Sequence, residues 1–113
     1  MIEIVSAAAC IACDVCVKVC PTDVFDRGAD GVPVIARQSD CQTCFACEAY
    51  CPEDALYVAP EAYTSVRVDE VALTLRGELG SYREAIGWGP GRTPVTANDP
   101  EHILHRLIER TIR

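Results

Sequence analysis

The sequence has few basic side chains, few aromatic rings and no long apolar run. Ten Lys and Arg residues stand against 17 Asp and Glu residues, so the formal net charge is −7. Nucleic acid and anionic membrane surfaces would repel such a chain, and we expect neither as a partner. A basic protein surface fits better. No window reaches the roughly 18 apolar residues that a membrane span needs, so none is predicted.

The first residues also lack the pattern of an export signal. Residues 1–5 contain no basic side chain, and the small residues Ala7–Ala9 lead directly into Cys10 with no apolar stretch before it. We therefore expect a cytoplasmic protein. In that reducing compartment, thiols bind metal more often than they form disulfides.

Cysteine is the residue that the chain has in excess. With 113 residues, one Met and one Trp, the side-chain core is thin, whereas there are eight cysteines. A chain of this size often gains stability from a bound metal. The cysteines form two copies of a C-x2-C-x2-C-x3-C-P motif, offset by 31 residues: Cys10, Cys13, Cys16 and Cys20, then Cys41, Cys44, Cys47 and Cys51.

This spacing favours iron–sulfur clusters over zinc or disulfides. Zinc sites usually pair C-x2-C units across a longer gap, and a third cysteine is surplus for them. A disulfide between cysteines three residues apart would be strained. A cluster of four irons and four sulfides needs four thiolates, and a C-x2-C-x2-C loop supplies three. In two-cluster proteins the cysteine before proline binds the other copy's cluster. The predicted ligands are Cys10, Cys13, Cys16 and Cys51 for cluster one, and Cys41, Cys44, Cys47 and Cys20 for cluster two.

Both complete motifs make residues 2–60 resemble the bacterial-type dicluster ferredoxins. The resemblance implies an α+β fold with a pseudo-twofold repeat and short antiparallel hairpins, and two 4Fe-4S clusters that transfer single electrons. All eight cysteines serve as ligands, so neither cluster has an open iron site, and no catalytic residue is predicted. Two alternative functions stay open. One is a free, diffusible, low-potential ferredoxin, and the other, of a different class, is a structural zinc-binding module.

Residues between the ligands differ between the two copies. We expect the carboxylate of Asp14 to disfavour adding an electron to cluster one, and Thr43 or Gln42 to donate to a sulfur of cluster two. The alternative is that these side chains face solvent. Phe45 and Tyr50 are expected to shield a cluster from water.

Local patterns predict the elements of the cysteine half, residues 1–60. Ile2–Val5 and Leu56–Ala59 are predicted strands that can pair, and the glycines between residues 26 and 32 predict a hairpin. Proline followed by an acidic residue is typical of a helix start, so a brief helix is predicted after each Cys-Pro pair.

The second half, residues 61–113, has a different character. Residues 1–60 carry 3 basic and 9 acidic side chains, whereas residues 61–113 carry 7 and 8. Apolar residues 68–86 predict a helical stretch broken at Gly77 and Gly80, with a strand at Val71–Leu75 as the alternative. Residues 87–91 predict an irregular segment and no nucleotide site.

The last residues predict an amphipathic helix over 100–112, with Asp99 as its N-cap. His102 and His105 on this helix have no accompanying cysteine or carboxylate motif, so we expect them to face solvent or a partner. We define residues 61–113 as the tail.

The tail either folds back on the cysteine half or wraps a partner, and wrapping is our expectation. In layout the chain resembles the beta subunit of adenylylsulfate-reductase-type flavoenzymes. That resemblance implies a larger flavoprotein subunit that carries FAD, and an external electron donor or acceptor.

Overall fold

A computed structural model describes residues 1–98, which form short strands and short helices around a small core. The predicted terminal helix, with Asp99, His102 and His105, lies outside the described residues. In chain order the elements are β1 (Ile2–Val5), α1 (Val15–Val19), β2 (Phe25–Arg27), β3 (Pro33–Ile35), α2 (Ala46–Tyr50), β4 (Leu56–Val58), α3 (Glu70–Leu75) and α4 (Ser81–Ala85), with 3-10 turns at Gln38–Asp40 and Val95–Asn98.

The first and last strands of the cysteine half pair with each other, as predicted. β1 and β4 are antiparallel, with Ile2 opposite Val58 and Val5 opposite Leu56. The N-terminal ammonium group extends this pairing, because it donates a hydrogen bond of 2.8 Å to the carbonyl of Ala59. The pairing therefore joins the start of the first cysteine copy to the end of the second.

The predicted hairpin lies between the two cysteine copies. β2 and β3 are antiparallel, with Phe25 opposite Ile35. The turn is closed by the amide of Gly28, which donates to the carbonyl of Val32 at 2.9 Å. Gly31 has φ of +87°, a conformation that glycine adopts without steric cost.

The helix prediction after each Cys-Pro pair is wrong. α1 and α2 precede those pairs, and they end where Cys20 and Cys51 adopt extended backbone. The residue before a proline avoids helical angles, so each Cys-Pro pair ends a helix instead of starting one. A tight turn follows, in which Asp23 and Asp54 have φ of +54° and +51°. Because each helix lies before its Cys-Pro pair, the third cysteine of each copy, Cys16 or Cys47, is on that helix.

The core lies between β1, β2, β4 and the two cysteine helices. Its largest apolar members, Ile2, Val24, Phe25, Leu56 and Val58, are each at most 3% exposed. Three thiols, those of Cys16, Cys47 and Cys51, belong to the same buried cluster. The cysteines therefore occupy positions that long aliphatic side chains would fill in a larger domain, and the core is thin, as the composition indicated.

The tail contains the interrupted helical stretch that the apolar spacing predicts. α3 begins after Asp69, whose carboxylate accepts a hydrogen bond from the amide of Val71 at 3.3 Å. The strand alternative at Val71–Leu75 is therefore wrong. Gly77 and Gly80 break the stretch with φ of +66° and +70°. Within residues 1–98, no helix has the length and apolar character to cross a membrane.

The described part of the tail packs on the cysteine half. The amide of Val66 donates to the Glu3 carboxylate at 3.0 Å, and the amide of Gly80 donates to the carbonyl of Leu56 at 2.9 Å. Arg83 donates to the carbonyl of Ala49 at 2.6 Å. From Val66 to Arg92 the tail therefore makes contacts of the kind that the fold-back alternative expects, and partner wrapping stays a prediction.

Candidate metal centre

Each cysteine loop reverses direction through left-handed backbone at two positions before its helix. In the first copy these are Ala12 and Asp14, with φ of +57° and +63°. In the second they are Thr43 and Phe45, with φ of +54° and +62°. Non-glycine residues adopt this conformation at a cost, and a β-carbon makes it rare. Two copies with the same costly geometry indicate loops shaped for a bound group.

The loops surround two cavities. The first is lined by Cys10, Cys13, Cys16 and Cys51. The second is lined by Cys20, Cys41, Cys44 and Cys47. We call these the first site and the second site. Each takes three thiols from one copy of the motif and one from the other, so the structure brings together the two sets of cysteines that the sequence predicts.

Backbone amides point at the sulfur atoms in both sites. In the first site, the amide of Ala12 donates to Cys10 Sγ at 3.3 Å and that of Ala55 to Cys51 Sγ at 3.3 Å. In the second, Thr43 donates to Cys41 Sγ and Val24 to Cys20 Sγ, both at 3.4 Å. Such N–H groups stabilise the negative charge of thiolates and of the sulfurs in a cluster.

The second site has further donors near its sulfurs. The amide of Ile2, in β1, donates to Cys41 Sγ at 3.4 Å. The hydroxyl of Thr22 lies 3.8 Å from Cys20 Sγ. Donors to cluster sulfurs raise reduction potentials, so this difference favours easier reduction at the second site.

The metal-free thiols differ in how readily they ionise. Burial raises the pKa of Cys16 to about 11, and burial also raises the pKa of Cys47 and of Cys51. Burial acts in the same direction on Cys20, but the amide of Val24 and the groups of Thr22 outweigh it and lower the pKa of that thiol. A metal that binds these sites must displace protons from the buried thiols.

The donor set and the spacing of the thiols fit a cluster. All eight cysteines are free thiols, so no disulfide competes. Soft thiolate ligands select zinc or iron–sulfur clusters. Within residues 1–98, no three Cys, His, Asp or Glu side chains converge closely enough to hold one metal ion. The four thiols of each site instead stand around a cavity, which suits a polynuclear cluster better than the single zinc ion of the alternative prediction.

Asp14 and Phe45 occupy equivalent positions of the two copies and differ in character. Asp14 lines the first site, and its carboxylate pairs with the guanidinium of Arg27 at 2.6 Å. Phe45 lines the second site and stacks on Tyr82 of the tail, with ring centroids 4.6 Å apart. One site therefore has an ion pair at its wall where the other has two stacked rings.

The other residues that the sequence predicts near a cluster of the second copy are Gln42, Thr43 and Tyr50. Gln42 lines the cavity of the second site. The Thr43 hydroxyl is buried and has no hydrogen-bond partner among the described residues. Tyr50 does not line either cavity and instead packs edge-on against Trp88. Phe45 is thus the one of the two predicted shielding aromatics that borders a site.

Glu48 was missed by the sequence analysis. It follows Cys47 in α2 and is fully buried. Burial raises the pKa of its carboxyl to about 7, while the amides of Tyr82 and Val58 act in the opposite direction without forming a hydrogen bond of good geometry. The repeat carried a signal, because the equivalent residue of the first copy is the apolar Val17.

Arg92 and Arg83 were also missed. Arg92 binds the Asp54 carboxylate at 2.5 Å, and Arg83 lies 3.9 Å from it. Asp54 is in the turn after Cys51, so both tail arginines brace a segment next to a first-site thiol. No local pattern relates residues so far apart in sequence.

Comparison with known proteins agrees with this geometry. Residues 9–56 match the family described as the 4Fe-4S dicluster domain. The ferredoxin of Methanothermococcus thermolithotrophicus is 44% identical over 46 residues, which are 41% of this chain and 75% of that ferredoxin. The ferredoxin-type protein NapF of Escherichia coli strain K12 is 38% identical over 45 residues, 39% of this chain.

The chain belongs to the dicluster ferredoxin family. That family supports iron–sulfur electron transfer as the function of the matched residues 9–56. The match covers only 27% of the NapF sequence, so the activity of that whole protein does not carry over. The matched region contains all eight cysteines. The whole tail, residues 61–113, lies beyond it.

Proposed function

We propose that the chain holds two 4Fe-4S clusters, one at each site, and passes single electrons to and from redox partners. Cys10, Cys13, Cys16 and Cys51 are the proposed ligands of cluster one, and Cys41, Cys44, Cys47 and Cys20 those of cluster two. The observation that carries this proposal is the pair of cavities, each lined by four thiols drawn from both copies.

The bound clusters supply one-electron chemistry, and the chain controls it. Its thiolates hold the irons, and its amides donate to the sulfurs at 3.3 to 3.4 Å. Apolar walls, which include Val5 and Leu56 at the first site and Ile2 and Val58 at the second, exclude water. Because each site uses all four of its thiols, no ligand position is left for a substrate.

Iron and sulfide analysis of anaerobically purified protein tests this proposal. Two clusters predict about eight iron atoms and about eight acid-labile sulfides per chain, with broad brown absorption. Zinc without sulfide would contradict it and favour a structural zinc module. About four irons would mean that only one site is filled.

We further propose that the chain is the small subunit of a flavin-dependent oxidoreductase, with FAD on a larger partner subunit. Three features support a protein partner. The net charge of −7 suits a basic docking surface. Val71 and Leu75 of α3 are 64% and 83% exposed, and the predicted apolar stripe of residues 100–112 needs a surface to cover. A cytoplasmic location belongs to the same proposal.

Removing only residues 99–113 tests the partner proposal. The contacts of Arg92 and Trp88 with the cysteine half remain in this truncated chain. After co-purification from the native host, we expect full-length chain to retain a flavin-containing larger subunit, and the truncated chain to lose it while keeping both clusters. Equal retention by both chains would contradict a partner bound through the terminal segment.

A free, diffusible ferredoxin is the second candidate, because the tail contacts the cysteine half from Val66 to Arg92. The candidates differ in one simple observation. A free ferredoxin purified from its native host would elute as a monomer. A subunit would elute with its partner.

A further inference from the structure

The repeat gives each site one wall residue at the same place in its loop. These residues, Asp14 and Phe45, are offset by 31 positions and share a φ near +62°. Asp14 is held by Arg27, which belongs to the cysteine half. Phe45 is held by Tyr82, which belongs to the tail. One wall residue of the second site, Phe45, is therefore backed by a ring of the tail.

Hydrogen bonds of the neighbouring residues fix the position of Tyr82. It lies on α4, which begins after Gly80, and the Gly80 amide donates to the Leu56 carbonyl at 2.9 Å. Arg83, the next residue, donates to the carbonyl of Ala49 on α2 at 2.6 Å. Two hydrogen bonds to the backbone of the cysteine half thus flank the ring that stacks on Phe45.

We propose that Tyr82 is a positioning residue that holds Phe45 against the second site and so keeps water away from cluster two. This inference rests on the proposed function, because it requires a cluster at the second site. It assigns a role to the tail that a partner subunit does not need to supply.

The sign of the effect follows from charge. An oxidised cluster with four thiolates carries −2, and accepting one electron makes it −3. Water stabilises the more highly charged form, so an apolar wall disfavours reduction and lowers the reduction potential. Loosening Phe45 should therefore raise the potential of cluster two and leave that of cluster one unchanged.

The chain offers a matched control. Trp88 is a second aromatic ring of the tail that packs on α2, edge-on to Tyr50 with centroids 5.0 Å apart. Neither ring lines a cavity, so Trp88→Ala removes a similar contact without opening a site. Tyr82→Phe keeps the stacking ring and should behave as wild type.

The experiment is an anaerobic redox titration of the full-length protein with both clusters, followed by EPR. Asp14→Asn marks the potential of cluster one, because Asp14 lines only the first site. In Tyr82→Ala the other potential should rise enough to increase the ratio of reduced to oxidised cluster at least about threefold, which is about 28 mV at 59 mV per tenfold. Trp88→Ala and Tyr82→Phe should move neither potential.

An unchanged second potential in Tyr82→Ala would overturn the inference, as would an equal shift of both potentials or the same shift in Trp88→Ala. If Tyr82→Ala fails to retain its clusters, Tyr82→Leu is judged by the same criteria, because it keeps an apolar side chain of similar reach without a ring. Failure of the proposed function is distinguishable, since wild-type protein would then lack one or both EPR signals.

Discussion

The two cysteine sites share a backbone and differ in what stands around it. Both have left-handed turns at equivalent positions, a helix that carries the third cysteine and amides that donate to sulfur. The first site borders an ion pair within the cysteine half, between Asp14 and Arg27. The second borders Phe45, which the tail covers through Tyr82. The repeat thus fixes where the thiols lie, whereas residues between and beyond the motifs make the sites unequal.

The largest effect is predicted for Gly80→Ala, which disturbs the contact between the tail and the turn after the second copy. A Cβ added at Gly80 would collide with the side chain of Asp54, and φ there is +70°. We expect Gly80→Ala to lower the free energy of unfolding by about 2 to 4 kcal/mol, from left-handed strain and overpacking together. Urea unfolding of the anaerobic holoprotein measures this change.

Gly77→Ala separates the two causes. Gly77 has φ of +66°, but no atom lies within 4 Å of an added Cβ. This variant should cost only about 1 to 2 kcal/mol, for strain alone. Equal losses in the two variants would contradict close packing of the tail on Asp54.

The next variant, Glu48→Leu, makes the second copy more like the first. Glu48 is a fully buried carboxyl where the first copy has Val17. Because a buried polar group without good hydrogen bonds is costly, Glu48→Leu should raise the free energy of unfolding by about 1 to 3 kcal/mol. Glu84→Leu, which removes the same charge from an exposed position, should change it by no more than about 0.5 kcal/mol. A loss of stability in Glu48→Leu would show that the buried carboxyl is well satisfied.

A smaller effect concerns the ion pair at the first site. Asp14→Asn removes a negative charge and should raise the potential of cluster one, whereas Arg27→Gln removes a positive charge and should lower it. Each shift is expected to be on the order of tens of millivolts, because Arg27 is largely exposed and solvent screens it. The double variant should fall between the two. Shifts of the same sign in both single variants would contradict the charge argument.

The smallest effect is at the hairpin between the two copies, where Arg37 binds Asp26 at 2.6 Å. The hydrogen bond from Arg37 holds the pKa of Asp26 below its ordinary 3.8. A lowered pKa adds stability that is present above the ordinary value and is lost as pH falls through the folded pKa. Asp26→Asn should therefore lower the unfolding midpoint slightly and equally at pH 6 and pH 8. A difference between these two pH values would assign the effect to another group.

The sequence predicted what depends on short-range pattern. The spacing of the cysteines, the pairing of Ile2–Val5 with the strand after Cys51, the hairpin and the breaks at Gly77 and Gly80 each follow from local residue chemistry, and the structure contains them. The helix positions were wrong because Pro21 and Pro52 can begin one helix or end another. Here each follows a cysteine with extended backbone that ends a helix. The left-handed turns that precede these helices contain no glycine that would have marked them.

What the sequence did not predict depends on contacts between distant residues. Tyr82 meets Phe45 across 37 positions, and Arg92 meets Asp54 across 38. Either pair could be replaced by other residues of similar character without changing any local pattern. For the same reason, the extent to which the tail lies on the cysteine half could not be judged from its composition.

The most direct test of two crossed sites combines ligand loss with the Asp14 marker. Cys51→Ser should remove cluster one although Cys51 belongs to the second copy, and the remaining potential should not respond to an added Asp14→Asn. Cys20→Ser should remove cluster two, and the remaining potential should rise when Asp14→Asn is added. The opposite result, with a response in the Cys51→Ser background and none in the Cys20→Ser background, would contradict the crossed arrangement of ligands.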